Sequence, residues 1–146
     1  METVRGLPVP PRLTQLLTDQ LWQHPGDDVI LRVIPFMTDP LVFPDSLDRM
    51  TAESRLGIAD PGSGDPLRIH RGSRITGASD LPWLDIERGF FIAYNKFPGD
   101  DVAVALDYRW NAGDPCVVAS EYTDADGYNW RRVADTFSAF ADSLGM

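Results

Sequence analysis

The chain has 146 residues, 43% of them apolar, a net charge of −9 at neutral pH and one cysteine. That length fits a single domain able to bury about two thirds of its unfolded surface. The composition excludes a run of roughly 18 apolar residues that could cross a bilayer, and one cysteine excludes a disulfide within the chain. Met1 to Arg5 contains no apolar signal core, and Cys116 lies in an apolar run, so the expectation is a soluble, cytoplasmic protein with a buried reduced thiol. The acidity is uneven. Residues 1–76 carry 10 acidic and 8 basic side chains, whereas residues 77–146 carry 12 and 5, a net −7. Such a half repels nucleic acid and anionic membranes and attracts a basic protein. The same acidity also serves plain solubility.

In chain order, Leu7-Pro8-Val9-Pro10-Pro11 predicts a stiff extended lead. Leu13, Leu16, Leu17 and Leu21 recur at helical spacing, with Trp22 near the end and His24-Pro25-Gly26 as the stop. A second helix is expected from Asp27, with Val29, Ile30, Val33 and Met37 along one face, a kink at Pro35 and an end set by Pro40. Residues 38–44 read as extended. Asp45 or Ser46 can cap a third helix that carries Leu47 and Met50 and ends at Gly57. Residues 58–79 read as a long exposed connection holding a short strand at Leu67–His70.

The most strand-like stretch follows. Phe90–Tyr94 and Val102–Tyr108 are joined by the turn 96–101, where Pro98 and Gly99 suit a hairpin loop. Val102, Val104, Leu106 and Tyr108 alternate with Ala103, Ala105 and Asp107, so one face is bulky and the other small, as in a strand packed on both sides. Cys116–Tyr122 is a third buried strand, Asp124 to Gly127 a turn, and Tyr128–Ala134 a fourth strand with Trp130 on one face. Asp135 is placed to cap a closing helix with Phe137, Phe140, Ala141 and Leu144 on its apolar side. Trp130 and Phe137 are expected in the core. The class is α+β: one domain, residues 1–146, with a mainly antiparallel twisted sheet and helices packed around it.

The residues give no catalytic constellation. Asp124-x-Asp126-Gly127 followed by Asp135 suggests a calcium loop, but the glycine stands fourth instead of sixth and the closing ligand is not Glu. His24 and His70 lack companions at zinc spacing. Phosphate-loop and nucleophile-elbow motifs are absent from the sequence. Asp107 with Asp100 or Glu121 offers a carboxylate pair for acid–base work, against the plainer reading that Asp107 bonds backbone or an arginine. Trp83 can present an aromatic to a partner or plug the core edge. No metal and no cofactor is expected.

Several segments resemble the SUKH superfamily, proteins related to the yeast Smi/Knr cell-wall-synthesis regulator. The features are Phe91-Ile92 before the Gly99-Asp100 turn, the strand ending Ala105-Leu106-Asp107, Pro115 leading the next strand, and Trp130, Ala134, Phe137 and Phe140 in WRRVADTFSAF. The resemblance covers roughly residues 81–144 and departs at the opening, where His24-Pro25-Gly26 stands in place of the family's Asn-Gly pair. It implies a non-catalytic binding module of the bacterial immunity type, which binds and blocks a toxin, often a nuclease or deaminase; the chain's own acidity adds the expectation that this toxin is basic. The alternatives are an intracellular adaptor of an endogenous pathway on the same fold, or a small enzyme with an unrecognised carboxylate site. The expected partner-binding residues are Asp100, Asp101, Glu121, Asp124 and Asp126.

Overall fold

The computed structural model describes residues 2–59, 84, 88–97, 100, 102–123 and 127–146. The expected strand at Leu67–His70, with His70 and Trp83, lies outside them. Among the described residues, four helices accompany two antiparallel sheets, an α+β architecture.

The chain opens on a hairpin that the proline-rich lead did not suggest. Strands β1 (Thr3–Val4) and β2 (Leu7–Pro8) pair across Arg5 and Gly6, both at positive φ (54° and 82°). Positive φ at both central residues matches the right-handed twist of the flanking strands. Helix α1 (Pro11–Thr18) starts on a proline whose missing N–H is no loss there. It ends sooner than the leucine spacing predicts: Gln20 turns left-handed (φ 58°), so Leu21 leaves the apolar face and is 55% exposed while Trp22 is buried. Helix α2 (Asp27–Val33) stops before Pro35 and does not reach Pro40. The ring disfavours helical geometry at Ile34 and removes a donor.

Strand β3 (Leu41–Val42) falls in the stretch expected to be extended. Helix α3 (Leu47–Ala59) runs through Gly57, where an end was expected. Of the two candidate caps it is Ser46 whose Oγ accepts the Arg49 N–H, at 3.2 Å. Strands β4 (Gly89–Asn95), β5 (Ala103–Asp107), β6 (Cys116–Thr123) and β7 (Gly127–Ala134) follow, then helix α4 (Phe137–Ser143). The large sheet is a meander ordered β3-β4-β5-β6-β7, antiparallel throughout.

The alternation in β5 holds. Val104 and Leu106 join the larger cluster with Leu13, Trp22, Ile30, Phe90, Phe137 and Phe140. Ala103 and Ala105 join a second cluster with Leu84, Phe91, Cys116, Val118 and Trp130. Trp130 and Phe137 are both buried, in different clusters. Phe91 and Trp130 stack with centroids 6.1 Å apart and planes 13° from parallel.

Because β3 pairs only with Tyr94 and Asn95, the rest of that β4 edge needs other partners. Side chains supply them. Arg5 Nη1 donates to Gly89 O at 3.0 Å, Trp22 Nε1 to Ile92 O at 3.2 Å, and Phe91 N–H donates to Ser54 Oγ at 3.1 Å. The Trp22 contact falls at the register shift between Phe91 and Ala93, where a bulge turns backbone groups out of the ladder.

Candidate functional site

An antiparallel meander sends alternate connections to opposite ends. The last residue of β4, the first of β5, the last of β6 and the first of β7 therefore share one end with the start of β3. This is the end at which the sequence places its expected acidic site. Lys96 N–H donates to Pro40 O at 3.0 Å, which draws the segment before β3 against the β4–β5 connection. Asp39, which precedes Pro40, is thereby brought to the same end of the sheet as Asp100, 61 positions away. Partial burial first, and then the Asp100 charge, raise the Asp39 carboxyl above its ordinary value. Asp39 was not among the expected site residues. Its only signal would have been the pairing of β3 with β4, which two residues cannot announce.

Asp100 is partly exposed and its N–H donates to Phe97 O at 3.3 Å. Asn95 Nδ2 donates to the same carbonyl at 2.8 Å. The Phe97 ring is 52% exposed, with Lys96 Nζ 5.7 Å from its centroid. On β4, burial raises the Tyr94 hydroxyl above its ordinary value; Arg49 on α3 opposes this, and Glu53 on α3 and Asp45 just before it add to it. Arg49 and Asp45 are 3.5 Å apart.

Glu121 differs from the expectation of a solvated acid. Arg131 Nη1 donates to its two carboxylate oxygens at 3.1 and 3.3 Å, and its side chain is 16% exposed. The pair joins adjacent strands, and the Arg131 guanidinium also stands 5.3 Å from the Phe36 ring centroid. Asp101, Asp124 and Asp126 lie outside the described residues, and with them the core of the candidate calcium loop. Among the described residues no group of three or more His, Cys, Asp or Glu side chains is placed to hold a metal ion.

The opposite end of the sheet holds Asp107, Arg109, Cys116 and Arg132. Asp107 is the last residue of β5, whereas Asp100 precedes β5 and Glu121 stands five residues up β6 from Cys116, the partner of Asp107. At about 3.4 Å per residue, that is roughly 17 Å. The structure thus separates Asp107 from both carboxylates considered as its acid–base partner. Its oxygens are occupied by Arg109 instead. Cys116 is buried, with Sγ 3.8 Å from Asp107 O. Burial pushes the thiol up, Asp107 adds to this, and Arg132 and Arg109 oppose it. A protonated, buried thiol is a poor nucleophile. Trp110 is 51% exposed, with the Arg132 guanidinium 5.9 Å from its ring centroid.

No protein-family model, curated protein or solved structure matches this chain. Among the described residues, no helix is long and apolar enough to cross a membrane.

Proposed function

We propose that this chain is a non-catalytic, cytoplasmic binding module of the immunity type, which occludes a basic toxin domain with the acidic end of its sheet. The observation that carries the reading is that the Lys96–Pro40 hydrogen bond brings Asp39 to the end of the sheet that holds Asp100, in a chain whose residues 77–146 carry net −7. Like charges held together on a surface are relieved by a cationic partner. A nuclease cleft is such a partner, because its own substrate is polyanionic. The resemblance of residues 81–144 to the SUKH superfamily supports the same reading. So does Asp107, the one buried carboxylate among the described residues, whose two oxygens are both engaged by Arg109.

The test is association kinetics with the partner captured from the source cells. At low salt the rate should exceed the roughly 10⁵–10⁶ M⁻¹s⁻¹ of neutral pairs. It should fall as the screening length shortens from about 10 Å at 0.1 M salt to about 3 Å at 1 M. A rate indifferent to salt would overturn the reading. A neutral or acidic endogenous partner would favour the adaptor alternative.

A further inference from the structure

We infer that His24 is a pH-sensitive latch on the entry to helix α2: the neutral ring holds the Gly26 N–H, and the protonated ring releases it and turns to Asp27. The device stands apart from the function proposed above and rests on the corner made by His24, Pro25 and Gly26.

The corner has a stiff part and a free part. Pro25 fixes its own φ and restricts His24 before it. Gly26 follows at φ 111°, in the region that favours glycine, with no atom within 4 Å of where a Cβ would stand. Its carbonyl accepts the Ile30 N–H of α2 at 3.1 Å, so rotation at Gly26 changes the angle at which the helix leaves the corner. A side chain holds that rotation. His24 Nδ1 accepts the Gly26 N–H at 3.0 Å. On the other side of the ring, Nε2 stands 3.7 Å from Asp27 Oδ1, and Phe43 meets the ring edge-on with centroids 5.5 Å apart. Among the described residues Asp27 is the charged group that faces the ring; Phe43, from the segment after β3, brings none.

When one nitrogen of a neutral imidazole accepts a hydrogen bond, its proton is on the other, here Nε2. Imidazole ordinarily takes up a second proton between roughly pH 5 and 8, and in His24 that proton has only Nδ1 to go to. Two N–H donors then face each other, and the bond to Gly26 is lost. The new charge is drawn to Asp27 instead. The chain supplies its own comparison: Asn111 Oδ1 accepts the Gly113 N–H at 3.0 Å, across the same two-residue spacing. An amide oxygen makes this link whatever the pH, whereas an imidazole makes it only while neutral. Ile30 and Ile34 are buried and keep α2 on the core, so the change is confined to the first turn, which carries Asp27 and Asp28.

The experiment is an NMR titration of the full chain from about pH 8 to about pH 5. At the alkaline end the His24 ring should be the Nε2–H tautomer, with the Gly26 amide proton at a downfield, hydrogen-bonded position. On acidification the Gly26 amide and the His24 ring signals should shift together along one curve. The Gly113 amide and the Trp22 indole N–H, which donates to Ile92 O, should stay in place. His24→Asn should hold the Gly26 amide downfield throughout, because Oδ1 takes the place of Nδ1. Asp27→Asn should move the transition to lower pH. A Gly26 amide that does not titrate, an Nδ1–H tautomer at the alkaline end, or a Gly26 titration that persists in His24→Asn would overturn the latch. A transition unmoved by Asp27→Asn would overturn Asp27 as the second partner.

Discussion

Asp107 and Arg109 form a buried ion pair across two residues of chain. Arg109 Nη2 lies 2.8 Å from Asp107 Oδ2, Nε lies 3.0 and 3.1 Å from the two oxygens, and the Arg109 N–H donates to Oδ1 at 3.0 Å. The side chains are 1% and 7% exposed. A desolvated carboxylate with this many donors is satisfied, and removing its partner strands a charge. Arg109→Ala should therefore cost about 3–5 kcal/mol in denaturant unfolding, whereas replacing both residues together by apolar ones should cost much less. A loss under about 1 kcal/mol for the single variant would show that water reaches the pair.

The sequence made some of this legible. Bulky and small residues alternate along 102–108, and that pattern alone announces a strand covered on both faces. It also places Asp107 on the small face, where a carboxylate needs a donor. The donor's identity was not legible, because the turn that folds Arg109 back has no periodic signature. Two-residue strands are equally silent. Nothing in Thr3–Val4, Leu7–Pro8 or Leu41–Val42 alternates long enough to predict pairing, so Asp39 could not be placed at the end of the sheet that holds Asp100. Of the five expected binding residues, Asp100 lies at the acidic end and Glu121 is tied to Arg131.

The closing helix tests how far local signals can be trusted. Asp135 is the residue that charge and position suggest as its cap, yet the structure uses Thr136. Thr136 has extended geometry (φ −141°, ψ 158°), and its Oγ1 accepts the Ala139 N–H at 3.0 Å. Asp135 lies one residue too early to reach that donor and is exposed beside Arg132. Thr136→Ala should cost about 1 kcal/mol, and Asp135→Ala only a few tenths. Equal losses in paired thermal melts would return the cap to Asp135.

Trp130 and Phe137 offer a test of the two-layer core. Each is at most 1% exposed, and they belong to clusters on opposite faces of the sheet. Truncation of either to Ala should cost about 3–5 kcal/mol. Because the two side chains belong to separate clusters, the losses should add within about 0.5 kcal/mol. Strong coupling in the double-mutant cycle would mean that the two faces do not respond independently.

Alkaline stability should report on Tyr108 and Cys116 together. Burial raises the Tyr108 hydroxyl well above its ordinary value of 10.0, and its proton is donated to Pro8 O at 2.6 Å. Burial raises Cys116 from 9.0, with Asp107 adding and Arg132 and Arg109 opposing. Both groups are neutral when protonated, so the unfolded chain ionises first. Their contribution is complete below the unfolded values and is lost as pH rises toward the folded ones. The denaturation midpoint should fall steadily above about pH 9. Tyr108→Phe should be less stable at neutral pH but fall less steeply, and Cys116→Ala should flatten the early part of the decline. A midpoint that is flat from neutral pH to strongly alkaline conditions would mean that neither group is shielded.

The acidic end predicts different kinetics for Asp100 and Glu121. Long-range steering depends on the summed field, so Asp100→Asn and Glu121→Gln each remove one negative charge and should slow association with a basic partner by similar factors. Arg131→Gln should speed it. Dissociation should separate them, because it depends on groups in direct contact. Asp100 is partly exposed beside Phe97 and free to meet a cation from the partner. Glu121 is mostly covered and already engaged by Arg131 at 3.1 Å, so its loss should leave dissociation close to wild type. Stopped-flow association and chase experiments on the three variants, at two salt concentrations, give both rates. If Glu121→Gln accelerates dissociation as much as Asp100→Asn, the Glu121–Arg131 pair must open on docking, and the contact surface extends along β6.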